Sequence, residues 1–451
     1  MKQNKLFFAV LALLLMVSGC KKQPAPYITF SIDPTSIAFD KVGGSRVVLV
    51  NTNGDWTATN TASWLSMTAV SGSGVTPVTL KTASNDDAAR QTTVEFKCNG
   101  KTLTLAVSQD GKAPGPVPGD LPHDARKGLA KAIGSDIIHS MGTLLYKKNN
   151  IMQGFDFTDS QHYYYSQSPD GVNQYISMCA GPGKGYSSFM TLEKFGHMTQ
   201  IVSEAAADGK TYIWCNSNGI MTSDTKCDEN LSFSRIEYKA GGSYKGGYGG
   251  ETFFLTKAYG GKPHMDLQVS VDFEHRRLLV GTRVSGVAIR FFWVYDLDQA
   301  YALPLKDIKV TINGEQRTVN GRELADLKEL GYFELPRGTS PSQEYYYSHQ
   351  GHEVQGDYIW FYEGSVSSDS SGKNTSVAYV TVHDYNGKVI IPRTEVKAIS
   401  DNAAMASTGF SADGYAEGES IKVKGDKLYL GMACHNSSNN RIQNILVYDL
   451  E

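Results

Sequence analysis

Met152-Gln153-Gly154-Phe155-Asp156-Phe157, followed after a short polar turn by His162-Tyr163-Tyr164-Tyr165-Ser166, is the stretch on which the reading of the larger part of the chain turns. It runs from a polar opening through an alternating strand and a charged turn into a strongly aromatic strand. The pattern returns four times. Gly196-His197-Met198 through Glu204 leads to Thr211–Cys215, and Leu267-Gln268-Val269-Ser270-Val271 leads to Leu278–Thr282. His349-Gln350-Gly351-His352-Glu353 leads to Tyr358–Tyr362, and Gly418-Glu419-Ser420-Ile421 leads to Leu428–Met432. Self-similarity at several tens of residues decides architecture before any single motif does. Further strands close several units, at Phe291–Leu297, Val377–Tyr385 and Asn444–Leu450. Five units of three or four antiparallel strands cannot each bury both faces alone, so face-to-face packing around an axis is the natural solution. The spacing predicts a five-bladed β-propeller over residues 124–451, with Ile445–Tyr448 and Met141–Lys147 clasping the ring in one blade. A long two-sheet sandwich is the rival arrangement. A short helix over Asp124–Ile133, capped by Asp124, is expected ahead of the ring.

In a propeller the residues that open each innermost strand converge near the axis, so one polar side chain per blade builds a ring of hydrogen-bonding groups. The repeat supplies Gln153, His197, Gln268, Gln350 and Glu419, with Asp266, His349, His352 and Glu353 close by. Amides and neutral imidazole carry both donors and acceptors, as sugar hydroxyls require. Trp214, with Tyr163, Tyr358 and Trp360, offers faces for ring stacking if it points outward. The bland alternative is that each Gln and His satisfies buried backbone groups. An enzymatic alternative would make Asp266, Glu353 and Glu419 the carboxylates of a glycoside hydrolase, one acid and one base or nucleophile. No catalytic motif accompanies them: Gly-x-Ser-x-Gly, HExxH, Walker and EF-hand patterns are missing from the sequence. The run Gly241–Gly250 lacks the Gly-Lys-Ser/Thr ending of a phosphate loop and reads as a surface loop.

The first part of the chain reads differently. Between Ile28 and Gln109 short alternating strands are expected at 28–32, 46–50, 78–82, 92–96 and 102–107. Turn chemistry separates them at Val42-Gly43-Gly44, Asn53-Gly54-Asp55 and Asn99-Gly100-Lys101, the last a hairpin turn. These strands predict a small sandwich of immunoglobulin-like type over 27–111, and Pro- and Gly-rich residues 112–123 read as a linker. The fold class is therefore all-β, a sandwich followed by a propeller.

Three resemblances attach to these residues. Asp55-Trp56-Thr57-Ala58, Trp64-Leu65, Ser71-Gly72-Ser73-Gly74, Asn85 with Arg90, and Val107-Ser108-Gln109-Asp110-Gly111 together resemble a BACON domain, a module of exported Bacteroidetes proteins. The family implies carbohydrate binding or a spacer role, and Trp56 and Trp64 decide between a stacking surface and core packing. Gln153-Gly154-Phe155 with its tyrosine strand, then Phe195-Gly196-His197, Ile201–Glu204 and Tyr212-Ile213-Trp214, resemble the propeller shared by teichoic-acid biosynthesis protein C, phage receptor-binding proteins and helveticin-type bacteriocins. That resemblance implies binding of cell-surface glycans or glycopolymers. The family's Gly-His-Gly is Gly196-His197-Met198 here. At the amino terminus, Lys2 and Lys5, the apolar run Leu6–Val17 and Ser18-Gly19-Cys20 resemble a bacterial lipoprotein signal peptide, with Val17 where the family usually has Leu. This implies removal of residues 1–19, lipidation of Cys20 and a tether over 20–26. It places the protein in the cell envelope, at an outer membrane, on a side that the residues after Cys20 leave open.

Composition sets the remaining bounds. Forty-three Lys and Arg face 46 Asp and Glu, a formal charge of -3 that leaves no footprint for nucleic acid. Cys98, Cys179, Cys215, Cys227 and Cys434 form an odd set without zinc spacing; Cys215 and Cys227 are placed to bridge a loop, and buried thiols are the simpler expectation. No metal or other cofactor is implied. The chain is thus expected to bind a glycan without transforming it, the hydrolase and a protein-binding scaffold being the alternatives.

Overall fold

Phe291-Phe292-Trp293-Val294-Tyr295 is buried on both faces of its strand, whereas Arg90–Cys98 alternates exposed and buried residues. The first pattern belongs to a sheet packed between two others, the second to a sheet with one wet face. The two patterns divide the chain into two units, 1–112 and 113–451. The computed structural model describes residues 28–39, 43–85, 89–111, 124–131, 136–141, 144–169, 171–247, 250–368, 374–401, 403, 415–435 and 441–450. The signal peptide, Cys20, the tether and the linker 112–123 lie outside the described residues.

The first unit is a β-sandwich. Its strands pair in the order Ser36–Phe39, Lys101–Gln109, Arg90–Cys98, Gly44–Thr59, Ser71–Thr82, Leu65–Met67, with Phe30–Asp33 also on Gly44–Thr59. Asn99 and Gly100 both take positive φ, 46° and 77°, as the tight hairpin there requires. The turn expected at Asn53-Gly54-Asp55 is instead an irregularity within one long strand, where the register shifts between Asn51 and Asp55. That shift lets one strand serve two neighbours, Ser71–Thr82 and Arg90–Cys98. Trp56 is enclosed in the core beside Phe96, and Trp64 is half-buried under the Arg90 guanidinium, 4.6 Å from its ring. Both tryptophans therefore pack rather than present a free face.

The second unit is a five-bladed β-propeller. Its innermost strands are Gly154–Asp159, Val202–Ala205, Lys262–Asp272, Ser348–Gln355 and Tyr415–Lys424, opening blades one to five. Ring closure follows from the cores. Tyr164 and Met190 meet Ile213 between blades one and two, and Trp214 and Phe253 meet Val269 and Phe291 between two and three. Phe292 meets Phe361, Trp360 meets Ile421, and Phe155 meets Ile445, which completes the remaining three interfaces. Arg441–Asp449 pairs with Asp136–Met141, so the two ends of the unit share blade five. The early strand of that clasp ends at Met141 rather than running from it, and a helical turn at Arg126–Leu129 precedes it. The N-cap of that turn is Ala125, with no side-chain cap, rather than Asp124; Asp124, one residue earlier, accepts the Arg126 amide at 2.9 Å. A hairpin, Lys306–Ile312 with Glu315–Glu323, reaches from blade three to extend the sheet of blade two.

Candidate functional site

An axial cavity of about 240 Å³ is lined by the opening residues of the inner strands of blades one and two and the closing residues of those of blades three, four and five. Blade one contributes Asp156, blade two Ser203, blade three Asp272 and Glu274, blade four Glu353 and Gln355, and blade five Lys424. Phe273 and the aliphatic side chains of Val202, Val271, Val354 and Val423 supply the apolar part of the wall. All five blades thus deliver a polar group to one mouth.

Below the mouth the groups are tied to one another. Asp156 is fully enclosed and accepts from the amides of Phe157 at 2.8 Å and Ser203 at 2.6 Å and from Lys424 Nζ at 2.5 Å. Burial pushes its carboxyl up, but Lys424, Lys422 and the Ser203 amide outweigh that and hold it below its ordinary range. Glu353 Oε2 accepts from Ser270 Oγ at 2.9 Å and from the wholly buried Lys422 at 3.0 Å, which leaves Oε1 for the cavity. Burial dominates at Glu353 and raises its pKa to about 7, against the pull of Lys422. Asp272 is consumed by the amides of Glu274, His275 and Gly356 and by His275 Nδ1. Ser203 Oγ is buried and has no hydrogen-bond partner among the described residues; with Glu353 Oε1, the exposed Glu274 carboxylate and the third-exposed Lys424, whose ammonium also donates to Phe157 O, it makes up the polar lining. A hydroxyl, a carboxyl near neutrality and an ammonium form a mixed donor and acceptor set.

The ring expected from the sequence is placed differently. Gln153 lies just ahead of Gly154–Asp159 and Gln268, Gln350 and Glu419 lie within their inner strands; all four are buried, and none lines the axial cavity. Gln350 reaches Gly364 O at 3.4 Å and Glu417 at 3.3 Å, and Gln268 makes only long contacts to Asp266. Burial, reinforced by Glu417, raises the Glu419 carboxyl well above its ordinary range. The axis is crossed at this level. Gln200 of blade two donates to the His352 carbonyl of blade four and accepts its amide at 3.1 Å, although blade three lies between them in ring order. His197 stands apart from the cavity, its side chain 41% exposed and 3.6 Å from Asp228. Trp214 is wholly buried, stacked on Phe253 with its indole N–H on Glu204 at 2.8 Å, so it serves the core between blades two and three. Of the three carboxylates named for hydrolysis, only Glu353 faces the cavity; Asp266 lies between Arg283 and Arg290, at 3.4 and 3.5 Å, away from it.

Asp156, Ser203, Asp272 and Lys424 were not singled out by sequence reasoning. The signal that marks three of them is a charge inside an apolar inner strand, as in Phe155-Asp156-Phe157, Val271-Asp272-Phe273 and Val423-Lys424. Among the described residues no group of three His, Cys, Asp or Glu side chains is arranged to hold a metal ion. Cys215 and Cys227, like Cys98, Cys179 and Cys434, are free and buried, so the loop bridge does not form.

Residues 54–110 match the family model described as "BACON: Putative binding domain, N-terminal". No curated protein sequence matches the chain. Among solved structures, a Bacteroides ovatus GH5 xyloglucanase in complex with a XXXG heptasaccharide is similar at 18% identity and a TM-score of 0.18. The match covers 24% of this chain and 24% of that one, so this chain spans about a quarter of the xyloglucanase. A DUF4623 family protein from Bacteroides eggerthii is similar at 8% identity over 94% of this chain and 95% of its own, with a TM-score of 0.26. An engineered GH43 glycoside hydrolase is similar at 8% identity over 80% of this chain and 54% of its own, also with a TM-score of 0.26.

Proposed function

We propose that the propeller binds a glycan at the axial cavity and does not cleave it. The observation that carries this reading is the convergence of one polar residue from each blade on a single cavity of about 240 Å³. That volume lies below the roughly 300–1,000 Å³ of sites for drug-sized ligands, so the cavity suits one terminal sugar ring rather than a chain segment. Ser203 Oγ, Glu353 Oε1 and Lys424 Nζ meet ring hydroxyls, and Phe273 offers an apolar face. Binding is favoured over hydrolysis because hydrolysis needs two free carboxyls flanking the bond. Of the other cavity carboxyls, Asp156 is held by two amides and an ammonium and Asp272 by three amides and an imidazole, which leaves only the solvent-exposed Glu274 to face Glu353. The sequence resemblance to glycopolymer-associated propellers makes a cell-surface polymer the ligand class. In the same reading Cys20 carries the lipid, the protein is anchored in the cell envelope, and no nucleic acid is a partner.

The test is retention of the purified protein on immobilised polysaccharides, with released reducing ends measured in parallel. Retention without release, weakened at least tenfold by Ser203→Val and by Lys424→Met, is the expected result. Unchanged retention in both variants removes the cavity as the site, and release proportional to protein makes the chain a hydrolase. Cys20→Ser is expected to move the protein from the membrane to the soluble fraction.

A further inference from the structure

A second polar cluster lies between blades three and four, built from Lys262–Asp272, Ile289–Asp296 and Ser348–Gln355, and it is left incomplete. Arg290, on Ile289–Asp296, has a side chain only 6% exposed. Its Nε and Nη1 have no hydrogen-bond partner among the described residues, and its Nη2 reaches Asp266 only at 3.5 Å. Asp266 does not complete it. That carboxylate is shared with Arg283 Nε at 3.4 Å and sits at a register shift between Met265 and Gln268, with φ at 54°. Arg283 itself is already committed to Glu229. Gln268 Oε1 and His349 Nδ1 are likewise buried without partners among the described residues, and His349 Nε2 bonds His352 Nδ1 at 3.0 Å. Burial, reinforced by the neighbouring Arg290, pushes both imidazoles well below their ordinary pKa.

The charged partner of Arg290 is Asp266, which it shares with Arg283; Glu229 is engaged by Arg283, and Lys422 acts on the neighbouring His352. A buried guanidinium with two open donors requires an acceptor, and a charged acceptor makes the stronger bond. An open amide oxygen and an imidazole nitrogen beside it supply the mixed set that an acid bearing hydroxyls would use.

We propose that Arg290, Gln268 and His349 form a binding site for a carboxylate, belonging either to a small free acid or to a uronic-acid residue. It is a site distinct from the axial cavity and does not depend on it. The carboxylate accepts from Arg290 Nε and Nη1 and completes the cluster that Asp266 leaves open. A uronic acid would add a hydroxyl donated to Gln268 Oε1.

The experiment is thermal unfolding of the whole protein while sodium chloride is replaced, at fixed ionic strength, by sodium acetate or sodium glucuronate, with D-glucose as the neutral control. At a hundredfold excess over Kd the midpoint is expected to rise by about 4 °C and to saturate. A rise with both salts identifies the free acid as sufficient, and a rise with glucuronate alone identifies the sugar acid. Arg290→Gln is expected to abolish the response. Should that variant fail to fold, Gln268→Glu places a carboxylate beside the guanidinium and is expected to raise the midpoint without ligand and remove the response. No saturable rise with either salt, or a rise that survives Gln268→Glu unchanged, overturns the proposal.

Discussion

Lys422→Met removes the counter-charge of Glu353 while keeping the side-chain volume nearly constant. Lys422 is wholly enclosed, and its ammonium meets Glu353 Oε2 at 3.0 Å, with Ser270 Oγ the other hydrogen-bond donor to that oxygen. With Lys422 in place, burial already raises the Glu353 pKa from 4.5 to about 7. The folded state therefore binds a proton that the unfolded chain has lost between those two values. Stability falls as pH rises through that window, by about 3 kcal/mol in all at 1.36 kcal/mol per pKa unit. Leaving a buried charge without its partner costs about 3–5 kcal/mol, equivalent to a further rise of roughly 2–4 pKa units. That cost exists only while Glu353 is ionised. At pH 9 the variant is expected to lose about 2–3 kcal/mol, the most that two pH units above the parent value of about 7 allow at 1.36 kcal/mol each, and at pH 5.5 no more than the ~1.5 kcal/mol of a volume-conserving swap. Urea unfolding at a series of pH values measures this, with the double variant Lys422→Met, Glu353→Gln as the control that removes both charges. The double variant should recover most of the alkaline loss. An equal loss at both pH values, or a double variant as unstable as the single one at pH 9, refutes the electrostatic account and leaves packing as the cause.

Trp56→Ala should cost the sandwich about 3–5 kcal/mol by opening a cavity beside Phe96, seen as an earlier first transition in calorimetry while the propeller transition stays in place. Burial lifts the Cys179 thiol to about 12 and that of Cys215 higher still, so neither should react with a disulfide reagent until the protein is unfolded in guanidinium. Gly100→Ala at φ 77° should lower sandwich stability by about 1 kcal/mol in denaturant melts without altering glycan retention.

The ring was legible because every blade repeats a polar opening and an aromatic second strand, and a strand buried on both faces has few ways to be satisfied other than between two neighbours. The clasp at blade five was legible for the same reason. The open end of the axis was not. Sequence reasoning favoured amides such as Gln268 and Gln350 because they suit sugar hydroxyls, yet side chains that suit a sugar also suit buried backbone. Gln200, three residues beyond His197, shows which use prevailed, since both ends of its amide are spent on His352 across the axis. Trp214 failed as a stacking surface because its strand is covered on both sides, a fact set by the neighbouring blade. A better guide was charge in an unexpected place. An Asp or Lys inside an apolar inner strand must find a partner on another blade, and Asp156, Glu353, Lys422 and Lys424 find one another.

That mutual pairing also bears on what the cavity does. Asp156 and Glu353 titrate in opposite senses within one cluster: Lys424 and the amides hold the first carboxyl down, while burial lifts the second. The Asp156 term supports the fold above pH 3.8 and is lost as pH falls through its lowered folded value; the Glu353 term weakens the fold from pH 4.5 up to about 7. Such a split, in an enzyme, separates a general base from a general acid. A base must also release its carboxylate to water, and Asp156 has its lone pairs aimed at Phe157, Ser203 and Lys424 instead. Freeing it would strip the inner strand of blade two of an amide partner and leave Lys424 without its carboxylate, so the groups that would have to move are the ones that hold blades one, two and five together. A cluster built this way keeps its shape while Glu353 Oε1 faces the cavity and Ser203 Oγ stays unpaired at its wall, and that combination favours capture of a hydroxylated ring over its cleavage.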